Sequence, residues 1–271
     1  MKNQLNTEFF EDLWLGGDHP SQLNADFWDL RAQEHNKSSI KNNSLISREN
    51  KVKDFLAKGL INDTSVVLDI GCGTGQLSIA LAKSVKEVAA LDFSENMLTY
   101  ASENAKKARV KNIRFIQADW KEIEFEEPFD FVVSSMSPAI NGPADLYKLM
   151  AVCKGHCYLS AFVERSSTLR ETLYHLTDQT YLHQFHKINY IFNILWTKGF
   201  FPELSYEESC YNRLLALEQA KEIYPLELNI QNDPLKVKLI HGFLDQEAKD
   251  GFITEIVSQK KGELIWKCSH L

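Results

Sequence analysis

The stretch that most constrains this fold is a short apolar run followed by alternating glycines. Val66 to Ile70 is an apolar, largely β-branched segment, typical of a strand buried on both faces of a parallel sheet. Gly71, Gly73 and Gly75 follow, and glycine lets a backbone turn sharply and lie against a ligand. The apolar residues after Gln76 indicate a helix. Strand, glycine turn and helix start together predict a nucleotide cradle, with backbone N–H groups aimed at the ligand.

The spacing of the glycines distinguishes two classes of nucleotide site. A dinucleotide site has the pattern Gly-x-Gly-x-x-Gly, whose last glycine would fall at Gln76. This chain instead reads Asp69-x-Gly71-x-Gly73-x-Gly75. That string resembles motif I of the class I S-adenosylmethionine-dependent methyltransferases. A nicotinamide-dependent oxidoreductase is disfavoured by Gln76.

The resemblance implies an α/β, Rossmann-like fold. Its sheet has seven mostly parallel strands in the order 3-2-1-4-5-7-6, with helices on both faces. We expect residues 1–60 to form an N-terminal helical arm and lid, and residues 61–271 the methyltransferase domain. Helical elaborations on the substrate side are expected at about 164–200 and 214–250, over the C-terminal edge of the sheet.

Hydrophobic periodicity predicts the remaining elements. Further strands are predicted at Glu87–Leu91, Asn112–Gln117, Phe129–Ser135, His156–Phe162, Phe201–Tyr211 and Gly262–Cys268. Helices are predicted at Ala25–Asn36, Ile46–Leu60, Ala144–Val152, within Ser166–Gly199, and at Leu214–Tyr224 and Pro234–Ala248. The first residues, with Gly16, Gly17 and Pro20, read as an irregular or partly helical arm, and the polar run Lys37–Asn43 as a hinge or lid segment.

An acid ends the second predicted strand. Asp92 lies about twenty residues after the glycine turn, the spacing at which a carboxylate binds ribose hydroxyls in βαβ nucleotide sites. Phe93 follows and is expected to lie against the adenine. Ser94 is expected to cap the next helix, from which Met97 either reaches back toward the ligand or packs in the core. The string Asp-x-Ser-x-x-Met-Leu resembles motif II of the same family.

Asp119 and Trp120 close the third predicted strand. In the resembled family the acid at this position accepts a hydrogen bond from the adenine amine, and the neighbouring side chain packs on the ring. Two other roles stay open from the residues alone. Asp119 could serve only as a helix cap, and Trp120 as a surface aromatic covering the end of the sheet.

The loop after the fourth strand is where open α/β sheets hold the reacting centre. Ser134, Ser135 and Met136 either flank the methionine part of the cofactor or only shape the loop. The segment Ser135-Met136-Ser137-Pro138 lacks both the Asn/Asp-Pro-Pro-Tyr string of nitrogen methylation and the Pro-Cys pair of cytosine methylation. A small-molecule acceptor therefore remains by elimination.

The resemblance and the spacing together predict one cofactor site and no specific catalytic residue. The cofactor is S-adenosyl-L-methionine, with S-adenosyl-L-homocysteine as the product. The predicted cofactor-binding residues are Asp69, Gly71, Cys72, Gly73, Gly75, Asp92, Phe93, Met97, Asp119, Trp120 and Ser135. No metal site is predicted, although His183 and His186 would share a helix face if that segment were helical.

Charge and cysteine content narrow the function classes. The formal net charge of −7 disfavours a protein that mainly grips a nucleic-acid backbone, and with it an RNA methyltransferase. The five cysteines include no C-x-x-C pair, and no secretory leader or membrane span is apparent, so a reduced cytoplasm is expected. We expect an enzyme that methylates a small molecule by in-line displacement. The alternatives are a cofactor-binding protein without catalysis, as a sensor or partner subunit, and an RNA or protein methyltransferase.

Overall fold

The apolar run before the glycines forms a central strand of the sheet. A computed structural model describes residues 6–17, 25–41 and 44–268 of the chain. The helices are α1 (Thr7–Gly16), α2 (Ala25–Lys41), α3 (Ser44–Ala57), α4 (Gln76–Ala82), α5 (Glu95–Ala108), α6 (Pro143–Ala151), α7 (Thr168–Leu176), α8 (Lys187–Thr197), α9 (Leu217–Glu227) and α10 (Pro234–Glu247). The strands are β1 (Val66–Ile70), β2 (Glu87–Asp92), β3 (Ile113–Gln117), β4 (Phe129–Ser135), β5 (Cys153–Ser166), β6 (Glu203–Ala216) and β7 (Phe252–Lys267).

These strands form one sheet in the order β3-β2-β1-β4-β5-β7-β6, which confirms the predicted fold. The pairs β1–β2, β1–β4, β2–β3 and β4–β5 are all parallel. The carboxyl ends of β1, β2 and β4 therefore meet at one edge. The strand order reverses between β1 and β4, and in open α/β sheets a ligand binds at such a reversal.

The chain divides into two compact units, each with its own hydrophobic core. The first comprises Met1–Ala161, His186–Ser205 and Glu263–Leu271; the second comprises Phe162–Phe185 and Tyr206–Gly262. In the first, side chains of β1, β2, β4 and β5 pack with α3 and α4, and Phe55 contacts both Phe131 and Tyr158 edge-on. In the second, apolar residues of α7, α9 and α10 pack with Leu215 and Ile253. The predicted division into an arm of residues 1–60 and a domain of residues 61–271 stays a prediction.

The N-terminal segment is more helical than its composition indicates. α1 begins after Asn6, whose side chain accepts the N–H of Phe9, and buries Trp14. α2 continues to Lys41, so the predicted hinge over Lys37–Asn43 is wrong for its first five residues. Pro20 and the end of that hinge lie outside the described residues. Within the described ranges, no helix combines the length and apolar character needed to cross a bilayer.

The stretch from residue 166 to 199 contains two helices separated by an extended segment. The N–H of Arg165 donates to the His183 carbonyl at 2.8 Å, and the N–H of Phe185 donates to the Val163 carbonyl at 2.8 Å. Because this segment pairs with the end of β5, His183 lies outside both helices and the predicted helix face shared with His186 is wrong. Long-range strand pairing has overridden a local helical period.

Strands β5, β6 and β7 are longer than predicted, with 14, 14 and 16 residues. The predicted helix at Leu214–Tyr224 starts only at Leu217, because β6 runs to Ala216. Leu214 is 55% exposed whereas Leu215 is 2% exposed, which is the alternation of a strand. The N–H of Leu217, the first residue of α9, donates to the Gly251 carbonyl at 2.9 Å.

Candidate cofactor site

The glycine turn is anchored to the end of β2. The N–H groups of Gly71 and Cys72 both donate to the Leu91 carbonyl, at 2.8 and 2.9 Å. A Cβ atom on Gly71, whose φ is +71°, would lie 1.9 Å from the Oγ of Ser137, so only glycine fits there. Burial, followed by the charge of Asp69, raises the pKa of the Cys72 thiol. The Cys72 thiol therefore stays protonated and uncharged in the turn.

Gly73 has open space on its side-chain face. Its φ is +54°, and a Cβ atom built there meets no heavy atom nearer than Cε1 of His35, at 3.9 Å. The corresponding position on Gly75 lies 3.0 Å from Cβ of Ala101, so that glycine lets α4 and α5 pack closely. Gly73 is thus the point of the turn at which a ligand can lie against the backbone.

Asp92 holds the turn from the end of β2. One carboxylate oxygen accepts the N–H of Gly73 at 2.8 Å and the other accepts the N–H of Ser94 at 3.0 Å. Burial raises the pKa of Asp92, and those backbone bonds oppose the shift. Each oxygen keeps a further lone pair, so the carboxylate has capacity for two more donors such as vicinal hydroxyls.

Asp69 is a second buried acid beneath the turn. It is 2% exposed and accepts the Oγ–H of Ser78 at 2.6 Å. Burial raises the pKa of Asp69 to about 6, while the bond from Ser78 and the charge of Arg48 oppose that rise. The carboxylate is therefore ionised above that pH and supplies a negative charge behind the glycines.

The end of β4 carries one unpaired serine hydroxyl, one paired serine hydroxyl and a residue with a strained backbone. Ser134 is 1% exposed, and its Oγ has no hydrogen-bond partner among the described residues. The Oγ of Ser135 accepts from Arg48 at 3.2 Å and lies 3.1 Å from the Oγ of Ser160. Met136 has a φ of +56°, and such strain in a non-glycine residue clusters at functional sites.

Lys187, at the start of α8, lies beside the same end of β4. Its Nζ donates to the Ser137 carbonyl at 3.1 Å. Burial lowers the pKa of Lys187 to about 8, against the opposing charge of Asp145. An amine with that pKa is partly neutral near physiological pH and can accept a proton.

Helix α2 lies across the turn and is tied to α5. Asp29 accepts from the Oγ of Ser94 and from the N–H of Asn96 at 3.1 Å. Asn104 donates both to Asn36, at 2.8 Å, and to the Thr74 carbonyl, at 3.0 Å. These bonds join three segments: α2, the glycine turn and α5.

Two buried polar atoms in this region lack partners among the described residues. They are the Oγ1 of Thr74, which is 1% exposed, and the Nε1 of Trp28 on α2. Buried polar groups are normally hydrogen-bonded, so each unpaired one requires an explanation. Together with Ser134 and the open face of Gly73, they fit a polar ligand with several acceptors and donors.

The other predicted residues occupy different environments. Met97, in the first turn of α5, is 2% exposed, and its N–H donates a hydrogen bond to the Ser94 hydroxyl at 3.1 Å. Phe93 is half-buried. Asp119 is exposed and accepts the N–H of Lys121 at 2.9 Å, as a turn-capping acid does. Trp120 is only 3% exposed and donates to the Asp145 carbonyl at 3.4 Å, so its interpretation as a surface aromatic is wrong.

Four of the five site residues that the sequence did not single out come from helices, and the fifth, Thr74, comes from the glycine turn. His35 on α2, Arg48 on α3 and Lys187 on α8 are far in sequence from the motif and follow no fixed spacing. Thr74 stands inside the quoted motif, and Ser78 follows it in the first turns of α4. Of these residues, only Ser78 hydrogen-bonds a motif residue close to it in sequence, Asp69, which lies nine positions earlier.

The second unit contains a cavity of its own, with a volume of about 350 Å³. It is lined by Glu164, Ser166, Glu208, Ser209, Cys210, Ser258, Gln259 and Lys260. Several of these groups already pair with one another, including Lys260 with Glu208 at 2.8 Å and Gln259 with Ser209 at 3.0 Å. The cavity contains none of the predicted cofactor residues.

Comparisons with known proteins find similarity to methyltransferases. A relative from Staphylococcus aureus, demethylmenaquinone methyltransferase, is 45% identical over 69 residues, which are 24% of this chain and 28% of that protein. The chain thus matches about a quarter of the length of this curated relative. A candidate sarcosine dimethylglycine methyltransferase from Galdieria sulphuraria has a TM-score of 0.52 at 15% identity, over 97% of this chain and 98% of that one.

A third protein, magnesium protoporphyrin IX methyltransferase from Synechocystis with bound S-adenosylhomocysteine, has a TM-score of 0.49 at 19% identity over 95% and 94% of the two chains. At 15% identity, the Galdieria sulphuraria structure shows a shared fold alone. The family match is broader, because residues 61–223 fit the family described as a methyltransferase domain, which is more than half of the chain. The chain therefore belongs to the methyltransferase family.

Proposed function

We propose that this protein transfers the methyl group of S-adenosyl-L-methionine to a small-molecule acceptor. The observation that carries the proposal is the Asp92 carboxylate, which holds the N–H of Gly73 and leaves lone pairs beside the open face of that glycine. When bound, the cofactor would supply an electrophilic sulfonium methyl group for in-line attack by an acceptor lone pair, with the thioether S-adenosylhomocysteine leaving with the electron pair of the broken C–S bond. The protein mainly supplies alignment and a water-poor site.

We assign the residues as follows. Asp92 accepts the ribose hydroxyls, the backbone at Gly73 lies against the cofactor, and Asp119 accepts from the adenine amine. The remaining predicted members of the site are Asp69, Gly71, Cys72, Gly75, Phe93, Met97, Trp120 and Ser135. Thr74, and Ser134 near the end of β4, offer hydroxyl groups to the methionine end, since both are buried and unpaired within the described part of the chain.

A small acceptor is favoured over nucleic acid by the net charge of −7, because binding a phosphate backbone rests on clustered lysine and arginine. The loop after β4 also lacks the Asn/Asp-Pro-Pro-Tyr string. Titration calorimetry with S-adenosylmethionine, S-adenosylhomocysteine and NADH tests the cofactor. Binding of the first two alone supports the proposal, whereas binding of NADH alone contradicts it. Cofactor binding without methyl transfer in an acceptor screen would favour the non-catalytic alternative.

Asp92→Ala is expected to weaken S-adenosylmethionine binding by about 1.5–3 kcal/mol, the range for hydrogen bonds to charged groups. The loss has two sources, the ribose contacts and the bond that holds the Gly73 N–H. Calorimetry measures it, and Asp63→Ala, at an exposed acid in the turn before β1, is the control. If Asp92→Ala binds as tightly as the parent, the placement of the ribose is wrong.

Asp69→Asn is expected to stabilise the fold at neutral pH while weakening cofactor binding. The pKa of Asp69 is raised to about 6 in the folded chain, above its unfolded value of about 4. Its contribution to the free energy of unfolding therefore declines as pH rises from about 4 to about 6. The variant avoids that decline, so its advantage is about 1 kcal/mol or more at pH 7 and shrinks toward pH 4.

Urea unfolding at several pH values measures the stability effect of Asp69→Asn, and calorimetry at neutral pH measures affinity. Asp63→Asn, which removes a charge from an exposed position, should change neither. A variant that is less stable than the parent at pH 7, or that binds the cofactor equally well, contradicts the assigned role of Asp69.

A further inference from the structure

Three cysteines meet in the first unit, apart from the cofactor site. The sulfur atoms of Cys153, Cys157 and Cys268 all lie within 4.8 Å of one another. Cys157 Sγ and Cys268 Sγ are 3.1 Å apart, well beyond the ~2.05 Å of a disulfide bond, and all three are free thiols. Cys153 and Cys157 are buried, and Cys268 is half-buried. Among the described residues, this is the one group with the spacing of a metal site.

A bulge in β5 creates the cluster. Phe129 pairs with Cys153 but Phe131 pairs with His156, so two steps along β4 face three along β5. In a regular strand Cys153 and Cys157 would stand about 13 Å apart along the chain. The bulge shortens this span, since the four steps from Cys153 to Cys157 face only three steps of β4, and Gly155 is needed within it because a Cβ atom there would lie 2.1 Å from the Asp130 carbonyl oxygen.

The third thiol comes from the end of β7. The N–H of Cys268 donates to the Gly155 carbonyl at 2.8 Å, which fixes Cys268 beside the bulge. Backbone contacts, rather than flexible side chains alone, therefore position all three sulfur atoms. Such preorganisation lowers the cost of collecting three ligands around one ion.

The cluster lies at the opposite edge of the sheet from the cofactor site. Cys153 pairs with Phe129 at the start of β4, whereas Ser160 pairs with Ser135 at its end. Because β4 and β5 are parallel, Cys153 is at the amino ends of these strands, and Cys157, which pairs with Val132, still precedes Ser160 by three positions. Their role is therefore independent of the methyl-transfer site.

We propose that Cys153, Cys157 and Cys268 bind one thiophilic cation with a filled d shell, Cu⁺ or Zn²⁺. Thiolate ligands select these ions, and a Zn–S bond of about 2.3 Å places sulfur atoms about 3.8–4.0 Å apart around one ion. The observed sulfur atoms span that separation, so small side-chain rotations suffice. Cu⁺ accepts three thiolates, whereas Zn²⁺ takes a fourth donor such as water at the half-exposed Cys268.

Metal binding here would connect β5 to the end of β7. Each thiol that becomes a ligand releases its proton to the buffer, and no oxidation is required. An ion that binds only the folded chain stabilises it by mass action. The site is therefore structural, and its metal binding does not depend on the proposed methyl transfer.

The test uses the full-length protein, reduced and stripped of metal by a chelator under anaerobic conditions. Cu⁺ and Zn²⁺ are titrated in separate experiments against a competing chromophoric chelator, and elemental analysis gives the stoichiometry. We expect one equivalent of one of these ions per chain. Cys157→Ser and Cys268→Ser are each expected to weaken binding by at least about tenfold. Loss of a partner that only contacts a ligand already costs about 10–100-fold in metal affinity, and each of these variants removes a ligand itself.

Cys210→Ser is the matched control, because Cys210 is an exposed cysteine on β6 in the second unit. It should bind the ion as the parent does. Circular dichroism and cofactor titration check that each variant folds, and Cys268→Ser, at the half-exposed position, is the least disruptive. The proposal is overturned if the reduced parent binds neither ion, if folded Cys157→Ser and Cys268→Ser retain parental affinity, or if Cys210→Ser loses binding. Isolation of a Cys157–Cys268 disulfide whose reduced form binds no ion would also overturn it.

Discussion

Gly73→Val is expected to abolish S-adenosylmethionine binding. The branched side chain would occupy the open face of the turn, where a Cβ atom now meets nothing nearer than His35 at 3.9 Å. We expect the affinity to fall by more than ~100-fold, or about 2.7 kcal/mol. Part of the effect is backbone strain, since a β-branched residue at a φ of +54° costs about 1–2 kcal/mol.

Gly59→Val separates strain from blockage. Gly59 has a φ of +67°, lies just after α3, and has open space around its Cβ position, but it is remote from the turn in sequence. Both variants should lose comparable stability in urea unfolding, and only Gly73→Val should lose the cofactor in calorimetry. If both bind equally well, the ligand does not lie against Gly73 and the cradle is misplaced.

Glu255→Gln is expected to cause the largest loss of stability in the second unit. Glu255 is fully buried and accepts from Arg170 Nε at 2.5 Å, from the Ser167 hydroxyl at 2.8 Å and from the Tyr224 hydroxyl at 3.2 Å. Arg170 also pairs with Glu227 and is itself almost fully buried. Removing one partner of such a network leaves a buried charge undercompensated, which costs about 3–5 kcal/mol.

The matched control is Glu208→Gln, which breaks an ion pair in the same unit. Glu208 contacts Lys260 at 2.8 Å, but its side chain is 71% exposed, so the expected loss is at most about 1 kcal/mol. Urea unfolding followed by circular dichroism compares the two variants. If Glu208→Gln and Glu255→Gln lowered the free energy of unfolding equally, burial would not be what makes the Glu255 network stabilising.

The pH dependence of stability gives the same test a second readout. Burial raises the pKa of Glu255, but Arg170, Ser167 and Arg213 outweigh it and the net pKa is lowered. A lowered pKa contributes stability that is present above the unfolded value of about 4.3 and is lost as pH falls through the folded value. Glu255→Gln should therefore lose its disadvantage relative to the parent in acid.

The parts of the fold that sequence predicts well are those with local causes. The β-branched run before Gly71 and the acid at the end of β2 each depend on neighbours within a few residues, and the structure contains both features. Ser94 is a capping residue recognisable from its position, and it accepts the Met97 N–H as predicted. The sheet order follows from the family resemblance that these motifs carry.

The parts that sequence reasoning misplaced have distant causes. The i, i+3 spacing of His183 and His186 fits a shared helix face, but the His183 carbonyl accepts the N–H of Arg165, eighteen positions earlier. Arg48 reaches Ser135 across 87 positions, and Cys157 meets Cys268 across 111. The periodicity of a single sequence does not predict such long-range contacts, because they depend on how the helices and strands pack after they form.

The placement of Glu263 in the first unit has a consequence for how the chain folds. Its carboxylate accepts from the Tyr158 hydroxyl at 2.9 Å and from Lys51 at 2.7 Å, across 105 and 212 positions. During synthesis, the edge of the first unit formed by the end of β7 stays open until residue 263 has left the ribosome. Contacts between residues so far apart in the sequence form late and slowly. Nascent chains therefore expose the β5 edge from the synthesis of Ser166 until that of Glu263, and an unpaired strand edge is prone to aggregation.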